Sequence, residues 1–279
     1  MFLSAIKERK VSENITLLEI ENAHATATIS LHGAQVISYK PKHDGRERLF
    51  LSSKARWDGS KSIRGGIPIC WPWFGAHKEN PQLPMHGYIR TQLWDLQERD
   101  DFEKYTRLLF KAKDTCGLGF TGSATLTLEV LIGTQLSVTL HTTNTGIDAF
   151  NLSCALHTYF AVADIHQTRL KGLEGLYSDK TRQWATFPTP VPYKFTEVTD
   201  RIHLHAAPSL IVLEQINTTA IVSSGHDSIV VWNPWSECAQ LFPDIQADEY
   251  QQMLCVETAV TQGFMLQPRQ SHALVQIIE

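Results

Sequence analysis

The feature that most constrains this chain is a two-residue period repeated on either side of a tight break. From Thr125 to Ile132 the run TLTLEVLI alternates apolar and polar residues, Gly133-Thr134 turns the chain, and QLSVTLHTT, Gln135 to Thr143, alternates again until Asn144-Thr145-Gly146. Successive side chains of a strand point to opposite faces, so each run gathers its apolar set on one side. Two such runs about a short Gly-containing break predict a hairpin with one face in a core. Comparable stretches lie at 25–31, 34–40, 209–216, 219–224, 228–232 and 272–278. They are rich in Val, Ile and Thr, whose branched side chains suit a pleated surface better than a helix. Only 235–241 and 248–254 are helix candidates, and both are short. Many strands separated by turn signals indicate a β-sandwich or barrel.

No composition break, internal repeat or low-complexity tract divides the chain, so 1–279 is expected to be a single all-β, antiparallel domain. The Pro-punctuated TFPTPVPY, 186–193, reads as a surface loop. Hydrophobic residues make up 43% and charged residues 19% of the chain, which argues against disorder. With 25 Lys+Arg against 29 Asp+Glu the net charge is −4 and no basic stripe is present, so no nucleic-acid partner is expected. No apolar run approaches the length of a membrane span, and the start, MFLSAIKERK, is the reverse of a secretory signal. The expected location is the cytoplasm. Five scattered cysteines, with no C-x-x-C among them, then read as reduced thiols acting as small apolar residues.

The informative segments are those that break the strand pattern. SIRGGIPICWPWFG, 62–75, surrounds Arg64 with three glycines, two prolines and two tryptophans. Gly65-Gly66 lets the backbone turn sharply or approach a ligand closely. LPMHGYIR, 83–90, places His86, Gly87 and Arg90 in one short segment. Two arginines flanking an aromatic loop suit an anionic, oxygen-rich ligand, because a guanidinium grips a phosphate bidentately. His157 and Glu257 each interrupt an apolar run, NLSCALHTYFAV and QMLCVETAV. A histidine there can be a satisfied core residue. A carboxylate is costly to bury unpaired, and desolvation should raise its pKa towards the range a general base needs. VVWNPW, 230–235, adds two tryptophans around Asn233, which could stack on sugars or fill the core.

Other chemistries fail on spacing. His203-x-His205 would put two imidazoles on one strand face, but no third ligand accompanies them, and no metal site is expected. G-x-S-x-G, the Walker loop and G-x-G-x-x-G after a strand are all missing, and Gly117-x-Gly119 reads as a β turn. Acid–base chemistry without a nucleophile, metal or nucleotide cofactor remains.

Taken together, IRGGIPICWPWFG, HGYIR, LHTYFAV, VTDRI, VVWNPW and YQQMLCVETA, in this order across nearly the whole chain, resemble the D-hexose-6-phosphate mutarotases. That family, the glucose-6-phosphate 1-epimerases, lies within the aldose 1-epimerase or galactose mutarotase-like superfamily. The resemblance implies a large antiparallel β-sandwich with few short helices, and interconversion of the α and β anomers of a hexose 6-phosphate without a cofactor. It implies that His157 and Glu257 are the catalytic histidine and glutamate. It further implies that Asp200 binds sugar hydroxyls, that Arg64 and Arg90 hold the substrate and its phosphate, and that His86 is a second active-site histidine. Met85 stands where relatives often carry Gln, and Thr258-Ala259 where many carry Pro-Gly. The rival readings are an epimerase of free aldoses and a non-catalytic sugar-phosphate-binding module on the same fold. A monomer is expected.

Overall fold

A computed structural model describes residues 4–279; Met1–Leu3 of the N-terminal reading lie outside the described residues. The described residues build three sheets whose paired strands are all antiparallel. The first is a four-stranded meander of Ala5–Lys10, Thr16–Glu21, Ala25–Ser30 and Gln35–Pro41. The second has nine strands, and within it lies the hairpin read from sequence, Ala124–Gly133 paired with Leu136–Asn144 from Ala124↔Asn144 to Ile132↔Leu136. Beside that hairpin runs the C-terminal strand Ser271–Ile278.

The third sheet has eight strands, and the long strand Met253–Leu266 lies near its middle. Ser228–Asn233 and then Thr199–His203 lie on one side of it; Phe150–Leu156 and the short Tyr159–Ala161 lie on the other. One apolar core lies between the sheets. It joins Leu254, Val256 and Val260 of the eight-stranded sheet to Leu136, Val138, Leu140, Leu274 and Ile278 of the nine-stranded one, and to Leu18, Ile20, Ala27 and Ile29 of the meander. This is a sandwich, and each such buried Leu, Ile or Val contributes about 1.5–3 kcal/mol relative to leaving it in water.

Local expectations hold with two adjustments. The first helix candidate forms as Trp235–Ala239, whereas the second yields only a turn of 3-10 helix, Glu249–Gln252, before Met253 and Leu254 enter the long strand. The segment 186–193 is not wholly loop. Ala185–Pro188 pairs with Leu176–Asp179 at the edge of the eight-stranded sheet, where a proline costs no ladder bond.

The eight-stranded sheet is covered on both faces, and this positions the site. In Met253–Leu266 the alternate residues Leu254, Val256 and Val260 face the sandwich core, while Ala259 packs with Cys70, Ala155, Ile202 and Val230 on the opposite face. Cys255, with Phe50, Tyr159 and Met253, continues that outer face. Glu257 lies in the same outer row, between Cys255 and Ala259.

Candidate active site

A cavity of about 640 Å³ opens on this outer face, lined among others by Arg64, His86, Arg90, His157, Asp200 and Glu257. All six residues singled out in the sequence therefore meet in one place, although 193 positions separate Arg64 from Glu257.

The register explains why His157 meets Glu257. Leu156 pairs with Thr258 and Tyr159 with Cys255, so His157 faces Glu257 directly across the ladder. The His157 N–H turns outward to the Pro68 carbonyl, which makes this a non-hydrogen-bonded pair, the position where facing side chains approach most closely. His157 Nε2 lies 3.4 Å from Glu257 Oε1. The same outward bonds, His157 to Pro68 and Tyr159 to Gly66, bind the glycine-rich segment to the edge of the pair and bring Arg64 with it. Gly65 and Gly66 serve close packing against the chain itself: a Cβ would fall 2.3 Å from the Phe50 carbonyl oxygen at Gly65 and 2.1 Å from that of Val36 at Gly66. They do not open the backbone to a ligand.

Glu257 is only 1% exposed, and its Oε2 has no hydrogen-bond partner among the described residues. Burial, opposed by the charges of Lys180 and Arg90, pushes its carboxyl well above the ordinary range. Burial also pushes His157 well below the ordinary imidazole value, helped by His86, Arg90 and Arg64. The Tyr159 ring stacks on His157 at 4.9 Å with 9° between planes, and Trp232 meets both rings edge-on. These aromatics pack around the imidazole.

His86 has φ of +65°, a conformation that costs a non-glycine residue about 1–3 kcal/mol. It is held there because Gly87, whose Cβ would lie 1.9 Å from the Trp71 carbonyl oxygen, packs against the Trp71-Pro72 backbone. The His86 Nδ1 accepts the Gly75 N–H at 3.2 Å. Burial, with the charges of Arg90, Lys180 and Arg64, pushes its pKa down to about 3, so the ring is neutral and its proton sits on Nε2. His86 is therefore a neutral N–H donor, its ring 5.6 Å from that of His157.

The two arginines are placed differently. Arg64 donates to the Tyr159 hydroxyl at 2.9 Å and to Asp244 at 3.1 Å, and its guanidinium lies over the Phe242 ring. Among the described residues Arg90 makes a single side-chain bond, to the Met85 carbonyl, which leaves most of its fork open. Met85 itself is 51% exposed at the cavity rim. Asp200, register partner of Trp232, is ion-paired to Lys180 at 3.0 Å, and burial raises its pKa against that pull.

Lys180, Tyr159, Phe74, Phe242 and Asp244 are site residues that sequence reasoning gave no role. Tyr159 carried a usable signal, since it lies two residues from His157 on the same strand face. Lys180 carried none: it reaches Asp200 only because Leu176–Asp179 pairs with Thr199–His203. Of the remaining candidates, Asn233 turns away from ligands. Its amide donates to the Tyr250 and Met253 carbonyls and its oxygen accepts the Trp235 N–H, which makes it a bracket between the strand end and the helix. His203 is buried against the Thr189 and Tyr193 hydroxyls, which occupy both ring nitrogens.

Comparisons with known proteins give the family. The aldose 1-epimerase family model matches residues 16–279. The chain belongs to the aldose 1-epimerase family. Within that family, a Cenchrus ciliaris protein provisionally named glucose-6-phosphate 1-epimerase is 34% identical, over 94% of this chain and 82% of its own length. The crystal structure of a provisionally named mutarotase, YeaD, from Salmonella typhimurium superposes with a TM-score of 0.89 at 26% identity, covering 98% of this chain and 92% of that one. A galactose 1-epimerase from Lactobacillus acidophilus shares the fold at a TM-score of 0.77, with 12% identity over 100% of this chain and 98% of its own.

Proposed function

We propose that this member of the aldose 1-epimerase family interconverts the α and β anomers of hexose 6-phosphates, with glucose 6-phosphate as the first substrate to test. The observation that carries this reading is the 3.4 Å approach of His157 Nε2 to Glu257 Oε1 inside a cavity rich in cations. The hydroxyl oxygen and the ring oxygen of a pyranose share one carbon, so an acid and a base can serve both only if they stand side by side.

Glu257 takes the proton from the C1 hydroxyl as His157 gives one to the ring oxygen. The C1–O5 bond breaks, C1 becomes an aldehyde, and rotation about C1–C2 presents its other face. In closure the C5 hydroxyl adds to C1, His157 recovers the proton from that hydroxyl, and Glu257 returns its own to O1. Opening therefore moves one proton from His157 to Glu257 overall, and closure moves it back. Burial raises Glu257 and lowers His157, which offsets the usual preference for the ion pair and brings the two forms of the pair closer in energy.

His86 Nε2–H donates to a sugar oxygen, and Asp200, oriented by Lys180, accepts from sugar hydroxyls. Lys61, Arg64, Arg90 and Lys180 line the cavity against the carboxylates of Asp200, Asp244 and Glu257, and this balance favours an anionic sugar over a free one. Arg90, with its open fork, grips the phosphate, and Arg64 adds charge from a fixed position. No cofactor enters the scheme. We place the protein in the cytoplasm as a monomer over 1–279, with neither nucleic acid nor membrane as partner. The net charge of −4 argues against a nucleic-acid partner, and no helix among the described residues is long and apolar enough to cross a membrane.

The test is NMR exchange between the two anomeric protons of glucose 6-phosphate at equilibrium, with free glucose alongside and Glu257→Gln as control. Exchange accelerated for the phosphate and lost in the variant is the expected result. Acceleration of free glucose alone would instead make the protein an epimerase of free aldoses. Binding without exchange would make it a non-catalytic sugar-phosphate module.

A further inference from the structure

The pair rests on a defect in the β ladder. Thr158 faces Val256 at what should be a hydrogen-bonded position, and one of its two bonds is present: the Val256 N–H donates to the Thr158 carbonyl at 3.1 Å. The return bond is missing, because the Thr158 N–H closes a tight turn onto the Leu156 carbonyl at 3.0 Å, with His157 at its apex. That leaves the Val256 carbonyl without its ladder donor, in the interior, next to Glu257. The gap is filled from the opposite sheet. Gln276, 1% exposed on the C-terminal strand, donates its amide to the Val256 carbonyl at 3.2 Å and to the Thr258 hydroxyl at 2.9 Å. Its carbonyl accepts the Thr158 hydroxyl at 2.5 Å, and Ser223 meets Thr258 at 2.7 Å. One side chain thus holds the residues flanking Glu257 on both sides and the residue following His157.

We propose that Gln276 is a positioning residue for the acid–base pair: it substitutes for the missing ladder bond and sets the separation of His157 and Glu257 from behind the sheet. This rests on the reading of those two residues as acid and base. The turn at His157 interrupts the ladder at the residue next to the one that faces Glu257. Without a replacement tie, a single ladder bond holds the two strands at the place where their side chains must act together. Gln276 touches no substrate, so it should govern turnover rather than affinity.

The experiment compares Gln276→Met, which keeps the volume and removes every bond, with Thr258→Val and with the double variant. Leu128→Ala, in a strand of the nine-stranded sheet away from the pair, controls for lost stability. In Gln276→Met, kcat for anomer exchange on glucose 6-phosphate should fall about tenfold or more with KM within about twofold, as expected when reacting groups lose their alignment. The loss should be non-additive with Thr258→Val, since both act through one network. Leu128→Ala should keep the wild-type kcat. In the free protein, the ¹⁵N imidazole signals of His157 should move in Gln276→Met and stay in Leu128→Ala, a readout that does not need turnover. A folded Gln276→Met with wild-type kcat, or with unmoved His157 signals, overturns the assignment, as do independent losses in the double variant. If Gln276→Met does not fold, Thr158→Val and Thr258→Val decide the matter: lowered kcat at constant KM supports the proposal, and wild-type kcat in both overturns it. Exchange by the wild type and its loss in Glu257→Gln test the underlying reading separately.

Discussion

Replacing Glu257 by Gln should lower activity severely and stabilise the protein, and the stabilisation should grow with pH. The carboxyl is 1% exposed, lacks a partner on one oxygen, and has its pKa raised well above 4.5 by burial. In the unfolded chain it ionises near that ordinary value. Above it, the folded protein binds a proton that the unfolded chain has lost, so folding becomes less favourable as pH rises until the folded group also ionises. The linkage slope is about 1.4 kcal/mol per pH unit, or about 2.7 kcal/mol between pH 5 and pH 7 if the carboxyl stays protonated throughout. Gln has nearly the same shape and does not titrate, so it escapes this loss. His157 shifts the other way: its folded pKa is lowered, so its contribution is lost as pH falls below 6.5. That term is present in both proteins and largely cancels in the difference. At about 2–3 °C per kcal/mol, the gap in Tm between variant and wild type should widen by about 5–8 °C from pH 5 to pH 7. Thermal denaturation across that range, paired with the NMR exchange assay, is the measurement; kcat should fall about 10²–10⁴-fold. A gap that stays constant or narrows with pH would refute the reasoning, because it would mean that Glu257 is ionised in the free protein and paired with a protonated His157.

His157→Asn should also lower kcat by about 10²–10⁴-fold while the protein remains folded, as checked by exchange and circular dichroism. Arg90→Ala should raise KM for hexose 6-phosphates about tenfold or more, the loss of one charged hydrogen bond or two, and leave slow exchange of free glucose unchanged. Asn233→Ala leaves two buried carbonyls and one N–H unpaired and should cost about 3 kcal/mol in urea denaturation, with little change in KM.

How much of this could be read in advance depended on whether the signal was local. The hairpin of 125–143 was legible because alternation and turn residues lie within one short window, and it formed almost residue for residue. The meeting of His157 with Glu257 depends on pairing Leu156 with Thr258, about 100 positions away, which no local pattern encodes. Only the ordered motifs of a family brought those two residues together beforehand. Where chemistry alone was the guide it left alternatives open: Asn233 among tryptophans had no assigned role and is a bracket, and Gly65-Gly66, which could turn the chain or admit a ligand, packs against the chain's own backbone. Lys180 gave no sign at all.

The same physics that displayed the strands concealed the site. A sheet covered on one face alternates, and the hairpin strands do so cleanly. The sheet carrying the site is covered on both faces, so its strands run almost continuously apolar, as MLCV and AV do around Glu257. In such a run a carboxylate has no polar face to occupy. It can persist only where burial is put to use, with a partner directly opposite and a cavity above it. An acidic residue breaking a doubly buried strand is therefore a stronger pointer to chemistry than any histidine or tryptophan in this chain. The residues that hold it in place, Thr258 and Gln276, are uncharged and lie in the alternating rows that face the sandwich interior.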